Sequence, residues 1–330
     1  MKGRIHRIIP GPAAWYTEFG KKVSYRNHTN IPKIKGYMDF QVKYYGTRGS
    51  IPVPGRDFEI FGGNTTSVLV MDKDTVIIID AGTGIRNIGT DLIKWGLAGK
   101  KDFTIHILFT HSHWDHIQGF PFFVPAYFPN IHFHIYGATK LIPRKQGMEQ
   151  PGETVKTDRW DIKKTLSFQQ CFQYFPVRID QMSAHFTYHE ITPRNPLIID
   201  HIKVDTLPLN HPNESIGYRF FLTNGSFTFC TDTEPSPESN EKIIQFADKS
   251  NIFAYDSQYL PEEYENGKKG WGHSIYTVGA EISRRASVKE YHLIHHDPAH
   301  NDKFLIDLQE KAALEFPNST VIREGMEFTF

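Results

Sequence analysis

Residues 110–116 read Thr110-His111-Ser112-His113-Trp114-Asp115-His116, directly after an apolar run, Thr104 to Phe109, that predicts a buried strand. Three imidazoles and a carboxylate fall within six positions, at the end of an element able to hold them rigidly. In an extended turn His111 and His113 project to the same side and can share one metal ion, while Asp115 and His116, a step further on, can hold a second. Two ions so placed generate a nucleophile at neutral pH and clamp the charge that develops in a hydrolysis. A surface histidine cluster is the bland alternative, and the preceding apolar strand argues against it.

Two ions need more donors than one loop supplies. Three isolated candidates follow predicted strands: His211 after Ile202 to Leu209, Asp232 after Phe227 to Thr231, and His295 after Tyr291 to Ile294. Strand ends are where a layered α/β body collects its functional groups. Together these residues complete a two-metal set, with His111, His113 and His211 on one ion, Asp115, His116 and His295 on the other, and Asp232 bridging through its two oxygens.

The rest of the sequence narrows the chemistry. Two cysteines, Cys171 and Cys230, are too few for a disulfide framework or a thiolate zinc site, whereas seventeen histidines are plentiful, so nitrogen and oxygen must hold any metal. A 39% hydrophobic content is enough for a sizeable core. The most apolar stretch, Val76 to Ile79, is closed by Asp80, so no membrane span is predicted. No apolar signal region follows Met1, and a cytoplasmic location is the expectation. Formal charge is zero, yet residues 1–36 carry eight Lys/Arg against one acid, Glu18. This basic arm is read as folding onto an acidic body rather than onto nucleic acid, since Trp15, Tyr16 and Phe19 interrupt it.

From residue 37 onward strands alternate with helices. Strands are expected at Phe40 to Tyr45, Thr66 to Met71, Thr75 to Ile79, 218–230 and 252–256, and helices at 86–97 and 275–286. A hydrolase domain over 37–330 is therefore expected, in an α/β or layered α+β body. Residues 141–200, rich in proline and carrying Phe168, Phe172, Tyr174 and Phe175, read as an insertion on one edge.

The string His111-Ser-His-Trp-Asp-His116, with His211, Asp232 and His295 in order behind it, resembles the signature of the metallo-β-lactamase fold superfamily. Gly46-Thr47-Arg48-Gly49-Ser50, Gly63-Asn64-Thr65-Thr66-Ser67 and Ile79-Asp80-Ala81-Gly82-Thr83-Gly84 resemble the opening strands of its phosphodiesterase branch. Gly272-His273-Ser274 followed by His295-His296-Asp297-Pro298 resembles ribonuclease Z and the class II cyclic-nucleotide phosphodiesterases. The resemblance implies an α+β fold, the four-layer αβ/βα metallo-β-lactamase sandwich, with the metals at one edge. Its spacing from His273 selects His295 over His296, which stays the alternative ligand.

The resemblance further implies a binuclear phosphodiesterase with two divalent ions per chain, zinc ahead of manganese or iron. Asp115 and His273 are the candidate catalytic residues, His273 as proton donor to the leaving oxygen. Asp232 stands where class B1 β-lactamases carry a thiolate, which argues against antibiotic hydrolysis. Residues 141–200 do not resemble the tRNA-clamping arm of ribonuclease Z, so a small phosphodiester, a cyclic nucleotide, is favoured over RNA. An RNA 3′-processing endonuclease and a metal-dependent lactonase or esterase are the alternatives, and a homodimer is the assembly considered. Asp80 is the candidate to orient a ligand imidazole by accepting its free N–H.

Overall fold

The computed structural model describes residues 41–96, 102–143 and 157–330, so the basic arm expected at 1–36 lies outside the described residues. Val42–Gly46 (β1), Ser67–Asp72 (β2) and Thr75–Ile79 (β3) open the chain, the last two joined as a hairpin. Its tight turn is made by Lys73, at φ 54°, and Asp74. Helix Ile85–Lys94 (α1) buries Ile85, Ile88 and Leu92, a helical spacing that gives it one apolar face. It crosses to Phe103–Leu108 (β4), which pairs parallel to β3. The His-rich segment then leaves the end of β4 and turns into a short helix, Trp114–Ile117 (α2).

Ile131–Ala138 (β5) continues the parallel run beside β4. Lys140–Pro143 (β6) and Thr157–Trp160 (β7) form a separate two-stranded ribbon, followed by Ile162–Gln169 (α3) and His185–Ile191 (β8). Leu197–Ile199 (β9), Ile202–Leu209 (β10), Ser215–Leu222 (β11) and Gly225–Cys230 (β12) make an antiparallel meander. The single strand region read at 218–230 is thus a hairpin that turns between Leu222 and Gly225. Then come Pro237–Phe246 (α4), Ile252–Asp256 (β13), Pro261–Glu263 (α5), Tyr276–Arg285 (α6), Glu290–Ile294 (β14), Asp302–Glu315 (α7), Ser319–Val321 (β15) and Glu327–Phe328 (β16).

Two seven-stranded sheets result, in the orders β16-β1-β2-β3-β4-β5-β8 and β15-β14-β13-β12-β11-β10-β9. Each is antiparallel on one side and parallel on the other. Their facing sides share a core that includes Tyr44, Val70, Ile77 and Leu108 from the first sheet and Val204, Tyr218, Phe229 and Ile294 from the second. On the outer side of the second sheet, Ile243, Ile282 and Leu308 of α4, α6 and α7 pack against Phe253, Tyr255 and Leu293. Helices α1 and α3 pack against the first sheet. The layering is the four-layer αβ/βα sandwich implied by the sequence.

The segment at 141–200 differs from its reading as an insertion. Residues 185–191 form the edge strand β8, and 197–199 the edge strand β9, so its second half belongs to both sheets. Both strands are largely exposed or half-buried and so lack the apolar run of an interior strand, and the prolines of the segment lie outside them.

Five further histidines line one face of β4, β5 and β8. His106 stacks on His134 (5.2 Å between centroids), His134 on His189 (5.0 Å) and His132 on His185 (4.8 Å). Burial pushes His106 down to about 4 against the pull of Asp200, with His134 and His189 adding to the shift. The fold therefore holds His106 neutral, and the stability this represents is complete above the unfolded value of about 6.5 and is lost as pH falls from there through about 4. We expect His106→Gln to flatten the pH dependence of unfolding between pH 6.5 and 4 relative to the parent, as measured by urea titrations across that range; parallel profiles would refute it.

Candidate metal centre

The site forms where strand ends of both sheets meet. The β4 end delivers His111, His113, Asp115 and His116; β10 delivers His211, β12 Asp232, β13 Asp256 and β14 His295. Asp80, just beyond β3, has φ 59°, Asp232 has φ 55°, and His295 has φ 64°. Left-handed backbone is uncommon outside glycine, and at the buried His295 it marks local strain held by the surrounding structure.

Beside two donor groups that take in His273, with His211 and Asp232 or with Asp256 and His295, the donor atoms fall into two main groups. His111, His113 and His211 form one; Asp115, His116, Asp232 and His295 form the other. Asp232 faces both. Its Oδ1 lies 3.7 Å from His111 Nε2 and 3.8 Å from His211 Nε2, and its Oδ2 lies 3.3 Å from both His116 Nε2 and His295 Nε2. Asp115 Oδ2 is 3.2 Å from His116 Nε2 and from His295 Nε2, and accepts the Ser50 amide at 2.8 Å. His211 Nε2 is 3.1 Å from His113 Nδ1. Donors about 2.0 Å from a tetrahedral ion stand roughly 3.3 Å from one another, so these separations suit ions between them. The buried Nε2 atoms of His111 and His116 have no hydrogen-bond partner, as expected of nitrogens reserved for an ion.

Electrostatics point the same way. Burial alone would neutralise Asp115, yet His116 and His295 hold its carboxyl well below the usual range. Asp232 is likewise depressed against burial, by His295, His116 and His111. In return His295 is raised to about 9, burial notwithstanding, by Asp232 and Asp115. Burial pushes His113 down to about 4 and lowers His111 and His211 as well. The carboxylates thus demand positive charge on one side of the site, while the imidazoles on the other stay neutral and able to coordinate.

A second layer fixes ring orientation. The Nδ1–H of His116 donates to Asp80 Oδ2 at 2.8 Å, that of His211 to the Gly272 carbonyl at 2.8 Å, and that of His295 to Gln258 Oε1 at 2.9 Å. Each bond leaves Nε2 directed at the cluster. Asp80 is itself held by the Thr110 amide and hydroxyl, both at 2.8 Å. At Gly49 an added Cβ would lie 2.5 Å from the His295 ring, so only glycine seats that imidazole. Buried Arg48 donates from Nε to the Gly62 carbonyl (2.8 Å) and from Nη1 to the His300 carbonyl (2.6 Å), tying the 48–50 loop to the loop after His295.

Placed against the sequence reading, all seven expected metal donors come together in the two groups, with Asp80 behind His116. His296 turns away, its Nε2–H donating to the Ile322 carbonyl at 2.8 Å. His273 stands beside the cluster, its ring 4.9 Å from that of His295, and its Nδ1 is 2.9 Å from Asp256 Oδ2. The Gly272 carbonyl serves His211. Asp256 and Gln258 escaped the sequence reading, although Asp256 ends a strand just as the expected donors do. Asp302 accepts the Ile60 and Phe61 amides at 2.8 and 3.0 Å.

Comparison with known proteins finds relatives in sequence and in fold. Ribonuclease Z of Clostridium kluyveri is 25% identical over 282 residues, covering 77% of this chain and 87% of that protein. Among solved structures, the metallo-β-lactamase fold protein YhfI from Bacillus subtilis superposes with a TM-score of 0.61 at 16% identity, covering 88% of this chain and 98% of that one. A diphosphatase from the PhnP family gives a TM-score of 0.57 at 18% identity, covering 88% and 97%. Fold and site together define a metal-dependent hydrolase of the metallo-β-lactamase superfamily. Within that class the model of one family, anti-Pycsar protein Apyc1, matches residues 56–266, and the chain belongs to it.

Replacing Asp80 with alanine is expected to weaken metal binding by about 10- to 100-fold without unfolding the sheets; competition titration with a chelator, alongside circular dichroism, measures it, and parent-like affinity would contradict the orienting role.

Proposed function

We propose that this protein is a binuclear metal-dependent phosphodiesterase whose substrate is a small cyclic nucleotide. The observation that carries the reading is Asp232, whose two oxygens face two separate donor sets. His111, His113 and His211 would hold one divalent ion and Asp115, His116 and His295 the other, with Asp232 between them; zinc is the first choice and manganese or iron the next. Bound there, two such ions supply Lewis acidity that lowers the pKa of water and offsets charge on the phosphoryl oxygens.

The chain's own residues supply the proton chemistry and the positioning. In the hydrolysis a P–O bond forms from water and the P–O bond to the leaving oxygen breaks. The proton that water gives up passes to solvent, because His116 and His295 hold Asp115 as a carboxylate. His273 delivers one from Nε2 to the leaving oxygen, and Asp256 accepts at Nδ1 and keeps that tautomer. With a cyclic substrate the leaving oxygen stays attached, and the product is a phosphomonoester. Support also comes from the relatives, since a ribonuclease and a diphosphatase both, by name, break bonds to phosphorus. The ribonuclease Z likeness favours RNA 3′-processing as the second reading.

Purified protein loaded with zinc, manganese or iron is expected to hydrolyse cyclic AMP or cyclic GMP, with bis(p-nitrophenyl) phosphate as a generic substrate. Turnover of a lactone without any phosphodiester would overturn the proposal, and preferential cleavage of single-stranded RNA, weakening steeply with salt, would select the second reading. For His273→Ala the expected outcome is a loss of about 100- to 10,000-fold in kcat with two ions still bound per chain; full activity removes His273 from the mechanism.

A further inference from the structure

Trp271 sits between two glycines in left-handed backbone, Gly270 at φ 87° and Gly272 at φ 86°. The Glu234 carboxylate pins both, accepting the Gly270 amide at 2.6 Å and the Gly272 amide at 3.0 Å, and it also accepts the Tyr264 hydroxyl at 2.8 Å. The Gly272 carbonyl in turn receives the His211 Nδ1–H. The turn that carries the indole is therefore bolted to the metal centre. Despite that rigid mounting the Trp271 side chain is not packed away, and the residue is 59% exposed.

One neighbour does approach the ring. The Lys268 ammonium lies 4.5 Å from its centroid and 5.2 Å from that of Tyr259, and the Tyr259 ring meets His273 edge-on at 6.0 Å. A continuous row thus leads from Trp271 through Lys268 and Tyr259 to His273 and the cluster. A cation over an indole occupies the ring's electron-rich face and leaves surface for a second planar group. A large apolar ring held rigid and wet beside a hydrolytic site is what stacking recognition of a base requires, because every nucleobase has a π-face.

We propose that Trp271 is the stacking platform for the nucleobase of a nucleoside phosphodiester, with Lys268 as the cation that backs it. The assignment rests on the phosphodiesterase reading and deepens it, by placing recognition of the base on the 264–272 loop.

The test uses the metal-loaded parent, Trp271→Ala, Trp271→Phe and, for comparison, Trp114→Ala, because Trp114 is the exposed indole of the His-rich loop (64% exposed). Each is assayed on cyclic AMP and on base-free ribose cyclic phosphate, and AMP binding is measured by calorimetry. Expected for Trp271→Ala is a fall of about tenfold in the ratio of kcat/KM for cyclic AMP to that for the base-free compound, carried by KM, with a similar loss of AMP affinity, largely restored in Trp271→Phe. Equal losses on both compounds, parent-like AMP binding by Trp271→Ala, no AMP binding by the parent, or a loss confined to Trp114→Ala would each overturn the assignment. A parent that hydrolyses neither compound yet binds AMP through Trp271 would sink the phosphodiesterase reading and leave the stacking role standing.

Discussion

Two carboxylates, Asp115 and Asp232, are buried among imidazoles with no lysine or arginine paired to them among the described residues. Buried carboxylates need positive charge beside them, and the rest of the architecture answers that demand. The donors come from both sheets, which allows them to surround a charge rather than line it on one side. From left-handed positions Asp232 and His295 meet donors of the other sheet, while Asp80 holds His116 within its own. Behind them Asp80, Gln258 and the Gly272 carbonyl hold His116, His295 and His211 with the free nitrogen inward, so the demand is met by divalent cations in the proposed assignment rather than by a basic side chain.

Much of this was legible in the sequence, for a physical reason. The donors of the His111–His116 segment lie on one short turn after one apolar strand, and His211, Asp232 and His295 each follow a strand of clear pattern, so local signals sufficed. The layered fold followed from the same alternation together with the superfamily resemblance. Asp256, Gln258 and the carbonyl of Gly272 stayed hidden because their roles exist only as tertiary contacts. Gln258 reaches His295 across 37 positions and Gly272 reaches His211 across 61. The stacked histidines were equally invisible, since His106, His134 and His189 lie on three strands that pairing alone brings together. Residues 185–199 were misjudged because edge strands, exposed on one side, do not carry the apolar alternation that betrays interior ones.

The loops divide their labour. The 46–50 segment, anchored by Arg48, braces Asp115 and His295 through the Ser50 amide and Gly49. The 264–272 segment, anchored by Glu234, orients His211 and carries Trp271 outward. One faces inward to the donors and the other outward to whatever approaches them, and both depend on glycine where a larger residue would collide with an imidazole.

The division of donors between the sheets has a consequence for how long the protein survives. His111, His113, Asp115 and His116 belong to one half of the sandwich, and His211, Asp232 and His295 to the other. Ions held between them grip the joined form and ignore the separated one, so occupancy adds to the free energy of closure in proportion to the logarithm of free metal. Metal scarcity would then shorten the lifetime of the molecule as well as silence it, and abundance would track supply even where synthesis is constant.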